Sequence, residues 1–213
     1  GKRGKGPGEF IYPTDIAVIP TEDGKKPARV YVAEYGDNDR VSIYEPDGKG
    51  GYEFKSSFGV WGDGSHPDAV EFNRPQSISL DMPRRELIVA DAGNHRLGRF
   101  TLEGKLVRWI GSPETLGDAP GHFHYPWAVE AMGDGTALVV DQASARVQRI
   151  DLTSGASLGS YGEPGPGPGQ LAMPWALTVT GGKMYVVDAS NNRVVVAKVP
   201  APGPALAKSG GPR

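Results

Sequence analysis

Apolar residues run along this chain in short bursts, separated by stretches rich in Gly, Pro, Asp and Asn, and no stretch sustains a helical period. The most apolar bursts are Val30-Tyr31-Val32-Ala33, Leu87-Ile88-Val89-Ala90, Ala137-Leu138-Val139-Val140 and Met184-Tyr185-Val186-Val187. Each is β-rich with no polar side, as expected of a strand covered on both faces. A burst of mixed character begins at each of Arg40, Arg96, Arg146 and Arg193. A further run alternates, with Tyr52 and Phe54 set against Glu53 and Lys55, which predicts a strand with one buried face.

The bursts recur in a fixed order. An aromatic or Leu stands three residues before a Pro at Phe10/Pro13, Phe72/Pro75, Phe123/Pro126 and Leu171/Pro174. Each Pro leads into a first strand, such as Ile16–Ile19 or Ala176–Val179, and then into the apolar second strand. That strand ends in an acid followed closely by an Arg: Glu34/Arg40, Asp91/Arg96, Asp141/Arg146 and Asp188/Arg193. Three pairs share one spacing and the first has an extra residue, which predicts a longer turn or a bulge there. Four ordered copies of about 50 residues, of four antiparallel strands each except the last, which has three, and apolar on both faces, predict the blades of an all-β propeller.

Composition adjusts this picture little. The 213 residues include 31 Gly and 19 Pro, which suits a turn-dense fold, while 38% are apolar, enough for a core. Charges nearly cancel at net -2, so a general nucleic-acid footprint is not expected. Cysteine is absent, which excludes disulfides, thiolate metal sites and a cysteine nucleophile. No apolar run reaches the ~18 residues of a membrane-spanning helix. The compartment is not fixed by these features; an extracytoplasmic or secreted setting is the expectation.

The segments Phe10–Val18, Phe72–Leu80 and above all Val89-Ala-Asp-Ala-Gly-Asn-His-Arg-Leu97 resemble the NHL-repeat β-propeller family over roughly residues 6–197. The resemblance implies four-stranded antiparallel blades, with units at about 6–59, 60–111, 112–162 and 163–200 forming one propeller over 1–200. The last unit lacks its outer strand, and NHL rings that close usually hold six blades, so a six-bladed ring is expected. Residues 201–213, rich in Pro and Gly, are expected to be a flexible tail.

Strand parity puts the Pro loops and the acid-to-Arg turns on one face of the disc. The repeated pairs Glu34/Arg40, Asp91/Arg96, Asp141/Arg146 and Asp188/Arg193 are read as architecture, because they recur in every unit. Asn38, Gly93 and Asn94 are expected at turn positions of positive φ. Departures from the repeat point to function. After each Pro stand Thr14, Gln76, Trp127 and Trp175, and the two indoles form either a stacking platform or a packing wedge. His95, Tyr35, Gln76 and Gln142 complete the expected ligand contacts on that face. His95, His122 and His124 could be brought together as a three-His zinc site but have no recognised metal-ligand spacing, so neither a metal nor a cofactor is expected. The amidating lyases of the family carry zinc-binding His after several of the Pro residues, slots that differ here. The expectation is therefore a non-catalytic scaffold binding a protein or carbohydrate-like ligand. A lyase or lactonase-type enzyme with a metal near the channel is the alternative, and RNA binding comes third.

Overall fold

A computed structural model describes residues 2–66 and 68–203. Blade I comprises β1 (Tyr12–Pro20), β2 (Pro27–Tyr35), β3 (Arg40–Pro46) and β4 (Tyr52–Phe58). The pair β5 (Val60–Trp61) and β6 (Glu71–Phe72) links it to blade II, made of β7 (Pro75–Asp81), β8 (Glu86–Asp91), β9 (Arg96–Thr101) and β10 (Leu106–Gly111). Blade III holds β11 (Pro126–Ala131), β12 (Thr136–Asp141), β13 (Arg146–Asp151) and β14 (Ser157–Tyr161). Blade IV has three strands, β15 (Pro174–Thr180), β16 (Lys183–Asp188) and β17 (Arg193–Lys198). All pairing within blades is antiparallel between consecutive strands. This is an all-β propeller of four blades.

The second strands are apolar throughout because both their faces are buried. In β8, Leu87 and Val89 face blade I while Ile88 and Ala90 face blade III; in β12, Ala137 and Val139 face blade II while Leu138 and Val140 face blade IV. The core is thus three layers, one in each gap between blades. At the two ends the outer faces lack such cover: Ile16 is 58% exposed in β1 and Val194 60% in β17. Tyr52 shares that fate, so the alternation read in β4 does not bury Tyr52; no blade packs over this face of blade I.

Each acid–Arg pair ties the end of its second strand to the loop leading into its blade. One carboxylate oxygen of Glu34, Asp91, Asp141 and Asp188 accepts the backbone N–H of Ile11, Asn73, His124 and Ala172 respectively, at 2.6–2.9 Å. The other oxygen accepts the Arg Nε–H at 2.7–2.9 Å. The guanidinium then donates to carbonyls of the lead-in loop: Lys5, Gly6 and Glu9 in blade I, Gly64 and Glu71 in II, Asp118, Ala119 and His122 in III, and Pro166, Gly167 and Gln170 in IV. Buried backbone groups that no strand satisfies are satisfied here by charge-assisted bonds. Burial pushes the Asp91 carboxyl up to about 6 against the opposing pull of Arg96 and its amide donors. Asp188 moves the other way: burial again acts upward but is thin in the end blade, and the bonds from Ala172, Asn191 and Arg193 outweigh it.

Three expectations about turns are corrected. The positive φ positions are His95, Ala145 and Asn192, one residue beyond Asn94 in the repeat, and Gly36 and Asp37 in blade I rather than Asn38. Asn94 instead sends its amide to Asp91 and the Gly62 carbonyl. Gly93 is required by space: a Cβ there would lie 2.8 Å from the Asn73 carbonyl oxygen. The extra residue of blade I lengthens the β2–β3 turn, since that ladder has no register shift. Residues 201–203 are not a loose tail. The Gly203 N–H donates to the Leu158 carbonyl, and the Pro200 carbonyl accepts from Arg149. The rest of the expected tail, 204–213, lies outside the described residues.

Arg96 is 2% exposed and Arg193 35%. Arg96→Met is expected to cost about 3–5 kcal/mol by leaving a buried carboxylate unpaired, and Arg193→Met less, about 1 kcal/mol, because water reaches that guanidinium and Asp188 keeps its bonds from Ala172 and Asn191. Thermal melts of the two variants compare them directly, and equal losses would contradict the account.

Candidate functional site

The ladder between first and second strand slips by one residue directly after the Pro in every blade: Pro13/Asp15, Pro75/Ser77, Pro126/Ala128 and Pro174/Ala176. The skipped residues are Thr14, Gln76, Trp127 and Trp175. A bulge re-aims its side chain, and all four line one cavity of about 460 Å³ at the axis, walled by β1, β7, β11 and β15. The positions that break the repeat in sequence therefore converge in space.

The joints between blades differ at this cavity. Between I and II, the Thr14 hydroxyl donates to the Pro75 carbonyl at 2.7 Å and the Ile78 N–H donates to Asp15 at 2.9 Å. Between II and III, the Val129 and Ala131 N–H groups donate to the Ser77 and Ser79 hydroxyls. Between III and IV the indoles of Trp127 and Trp175 stack instead, with centroids 6.1 Å apart and planes 24° apart. Trp127 is half-buried against the third core layer, and Trp175 is 54% exposed. Trp127 thus wedges the joint between blades III and IV, while Trp175 presents open surface.

The residue before the Pro forms a second ring outside the first: Tyr12, Arg74, Tyr125 and Met173. The last three have φ of +58°, +66° and +47°, a conformation that is unusual before proline and turns each side chain onto this face. Tyr125 stacks on Trp127 at 6.1 Å, Tyr12 stacks on Tyr35 at 5.3 Å, and the Arg74 guanidinium lies over both Tyr35 (4.9 Å) and Trp127 (5.8 Å). A continuous band of rings, with one cation at its centre, crosses the face from blade I to blade IV. The sequence reading named Tyr35, Trp127 and Trp175 of this band and missed Tyr12, Arg74 and Tyr125. Their shared slot before the repeated Pro was the available signal.

His95 and Gln142 stand elsewhere on the face. His95 Nδ1 accepts the Tyr125 N–H at 3.2 Å, its ring lies edge-on to Tyr125 and His124, and burial, then the neighbouring His124, hold its pKa below the ordinary range. Gln142 is 5% exposed, too buried for the direct ligand contact expected of it, and its Nε2 is unpartnered. Gln76 lines the cavity wall, as do Asp15 and Glu130. Burial, and behind it the Asp15 carboxylate, push the Glu130 pKa up. His95 and His124 lie together, but His122 turns its carbonyl to Arg146 and Gln148. Among the described residues the group with metal-ligand geometry is Asp63, His66 and Glu71, away from the axis, where His66 and Glu71 already pair at 2.9 Å.

Arg99 and Arg149, three residues after a repeat Arg, also escaped the sequence reading. They donate to the carbonyls of Leu152 and Pro200 in the following blade. Arg29 and Tyr31 do the same to Leu102.

The NHL repeat family model matches residues 72–100, the segment running from Phe72 through the Asp91/Arg96 pair to Phe100. An NHL repeat is thus recognised within blade II. The human NHL repeat-containing protein 3 is 31% identical over 144 residues, which is 64% of this chain and 38% of that protein. Among solved structures, this propeller is similar to a catalytically inactive virginiamycin B lyase from Staphylococcus aureus with quinupristin: TM-score 0.54, 18% identity, covering 88% of this chain and 55% of that one. A protein of unknown function from Bacteroides caccae gives TM-score 0.58 at 16% identity, over 87% and 63%. These likenesses concern the fold alone. The chain spans about two fifths of its curated relative and between half and two thirds of these structures. Among the described residues no helix is long and apolar enough to cross a membrane.

The His95 geometry requires a neutral ring with its proton on Nε2, since protonating Nδ1 breaks the bond from Tyr125. NMR titration is expected to give a midpoint below 6.5. A folded pKa below the unfolded one means stability that is present above about pH 6.5 and lost as the pH falls through the folded value. A midpoint at or above 6.5 would refute this arrangement.

Proposed function

We propose that the protein is a non-catalytic scaffold that binds a protein or glycan-like ligand on the face carrying the Pro loops. The observation that supports this is the aromatic band, with bulge residues Trp127 and Trp175 at the cavity mouth beside Tyr35. Trp, Tyr and Arg dominate binding hot spots because they bring large rigid area at low conformational cost. Core packing does not account for a 54% exposed indole. His95 and Gln76 contribute to the rim. The enzyme alternative has one feature in its favour, the raised Glu130 pKa beside Asp15 in the cavity. Both Asp15 oxygens, however, already accept N–H groups, from Ile16 and Ile78.

Trp175→Ala is expected to leave stability within about 1 kcal/mol and to abolish ligand capture, whereas Trp127→Ala costs about 2 kcal/mol as well. Thermal melts beside binding to peptide and glycan arrays separate the two effects. Unchanged capture by Trp175→Ala would end this reading, and stoichiometric tightly held metal with turnover would favour the enzyme.

The exposed end faces bear on ring size. Ile16 (58%), Val18 (39%), Val194 (60%) and Val196 (51%) occupy the positions that are buried in β7, β9, β11 and β13 by neighbouring blades. We propose that further blades of the same design cover them in a ring of about six. The 213-residue chain by itself is then expected to bind a hydrophobic dye such as ANS strongly, or to self-associate in light scattering. A monomer that binds no dye would count against the larger ring.

A further inference from the structure

Arg74 is the central cation of the aromatic band, with Arg3 at its edge over Tyr12 (5.8 Å), and it is conspicuous for what it does not do. The four repeat arginines each spend their donors on a carboxylate and on loop carbonyls. Arg74 makes no side-chain hydrogen bond and no ion pair within 4 Å among the described residues. Its Nε is buried without an acceptor. Asp39, the acid bonded to its backbone, is buried and spends Oδ1 on the N–H of Arg74 itself at 2.6 Å. A buried donor left unsatisfied costs about 1–3 kcal/mol, so this arrangement is stable only because other forces hold the side chain there. Those forces are visible: the φ of +58° aims the residue onto the face, and the rings of Tyr35 and Trp127 hold the guanidinium between them.

We infer that Arg74 is the anion-reading centre of the loop face, and that the occupant is a protein segment presenting a carboxylate flanked by aromatic or aliphatic side chains. A guanidinium sandwiched by its faces keeps its N–H edge free, and that edge matches a carboxylate in a bidentate fork. The same slot holds Tyr12, Tyr125 and Met173 in the other blades, so the charge belongs to this site and not to the architecture. Asn38, in the blade I turn on this face, adds a second buried amide donor without an acceptor. A peptide fits better than a sugar because the inner rings give their faces to one another: Tyr35 to Tyr12 and Arg74, and Trp127 to Tyr125, Arg74 and Trp175. Faces already taken in this way leave less flat area on which a pyranose ring could stack. The cavity below is walled by Asp15 and Glu130, so an acidic segment lies across the mouth and does not thread the axis. The inference rests on the proposed binding role of this face and adds the charge and kind of its ligand.

The test uses the full chain and a random copolymer of Glu and Tyr, with a Lys–Tyr copolymer and polygalacturonate as the other arms, followed by tryptophan fluorescence. The protein is itself net -2, so bulk attraction does not favour a polyanion. The Glu–Tyr copolymer is expected to bind at least about tenfold more tightly than either comparison, and Arg74→Gln to remove at least about tenfold of that affinity. Arg74→Lys, which keeps the charge but not the fork, is expected to recover little of it. The Arg74 Nε–H resonance is expected to shift on binding, a signal that misfolding of a variant cannot imitate. If Arg74→Gln binds as wild type while Trp175→Ala does not, the anion-reading role is wrong and the platform stands. If Trp175→Ala also binds as wild type, the role of the face falls with it. Tighter binding of polygalacturonate, or no binding of the Glu–Tyr copolymer, overturns the peptide assignment.

Discussion

The fold depends on a carboxylate that bonds in two directions. At the end of each second strand one oxygen holds the lead-in loop by an amide, and the other holds an arginine that in turn collects that loop's carbonyls. A chain that reverses direction at every blade carries many backbone groups that no ladder can satisfy. The acid–Arg device satisfies them in one place and fixes the Pro loop against the β-turn beside it. The side chains of the Pro-loop face are mounted on that frame.

Repetition fixes the frame, and the differences between blades are confined to a few of its slots. The bulge after the Pro occurs in all four blades, yet its occupants change from Thr14 and Gln76 to Trp127 and Trp175, and the joint between blades changes with them from hydrogen bonds to stacked indoles. The slot before the Pro is likewise constant in backbone and variable in chemistry. Two concentric rings of side chains, one at the cavity mouth and one outside it, can therefore be altered without disturbing the core layers between blades.

Burial grades the same device along the chain. Asp91, with Arg96 pressed at 3.6 Å over Trp109, lies deep between neighbours and its carboxyl is raised, whereas Asp188 in the end blade is lowered by nearly the same partners. The difference is one of desolvation, set by whether a further blade covers the module.

The sequence by itself determined the repeat, the strand order, the two-faced second strands and the pairing of each acid with its Arg, because each depends on spacing along a short stretch. It also marked Trp127 and Trp175, since a break in a repeat can be read without coordinates. The tertiary structure decided the rest: that Gly93 is needed for room beside Asn73, that His95 takes the left-handed φ, that Gln142 is buried and that Gly203 docks on β14. It alone brought Tyr12, Tyr35, Arg74 and Trp127 together from three blades. Contacts between blades depend on the angle at which whole sheets stack, a quantity that no local pattern of residues encodes.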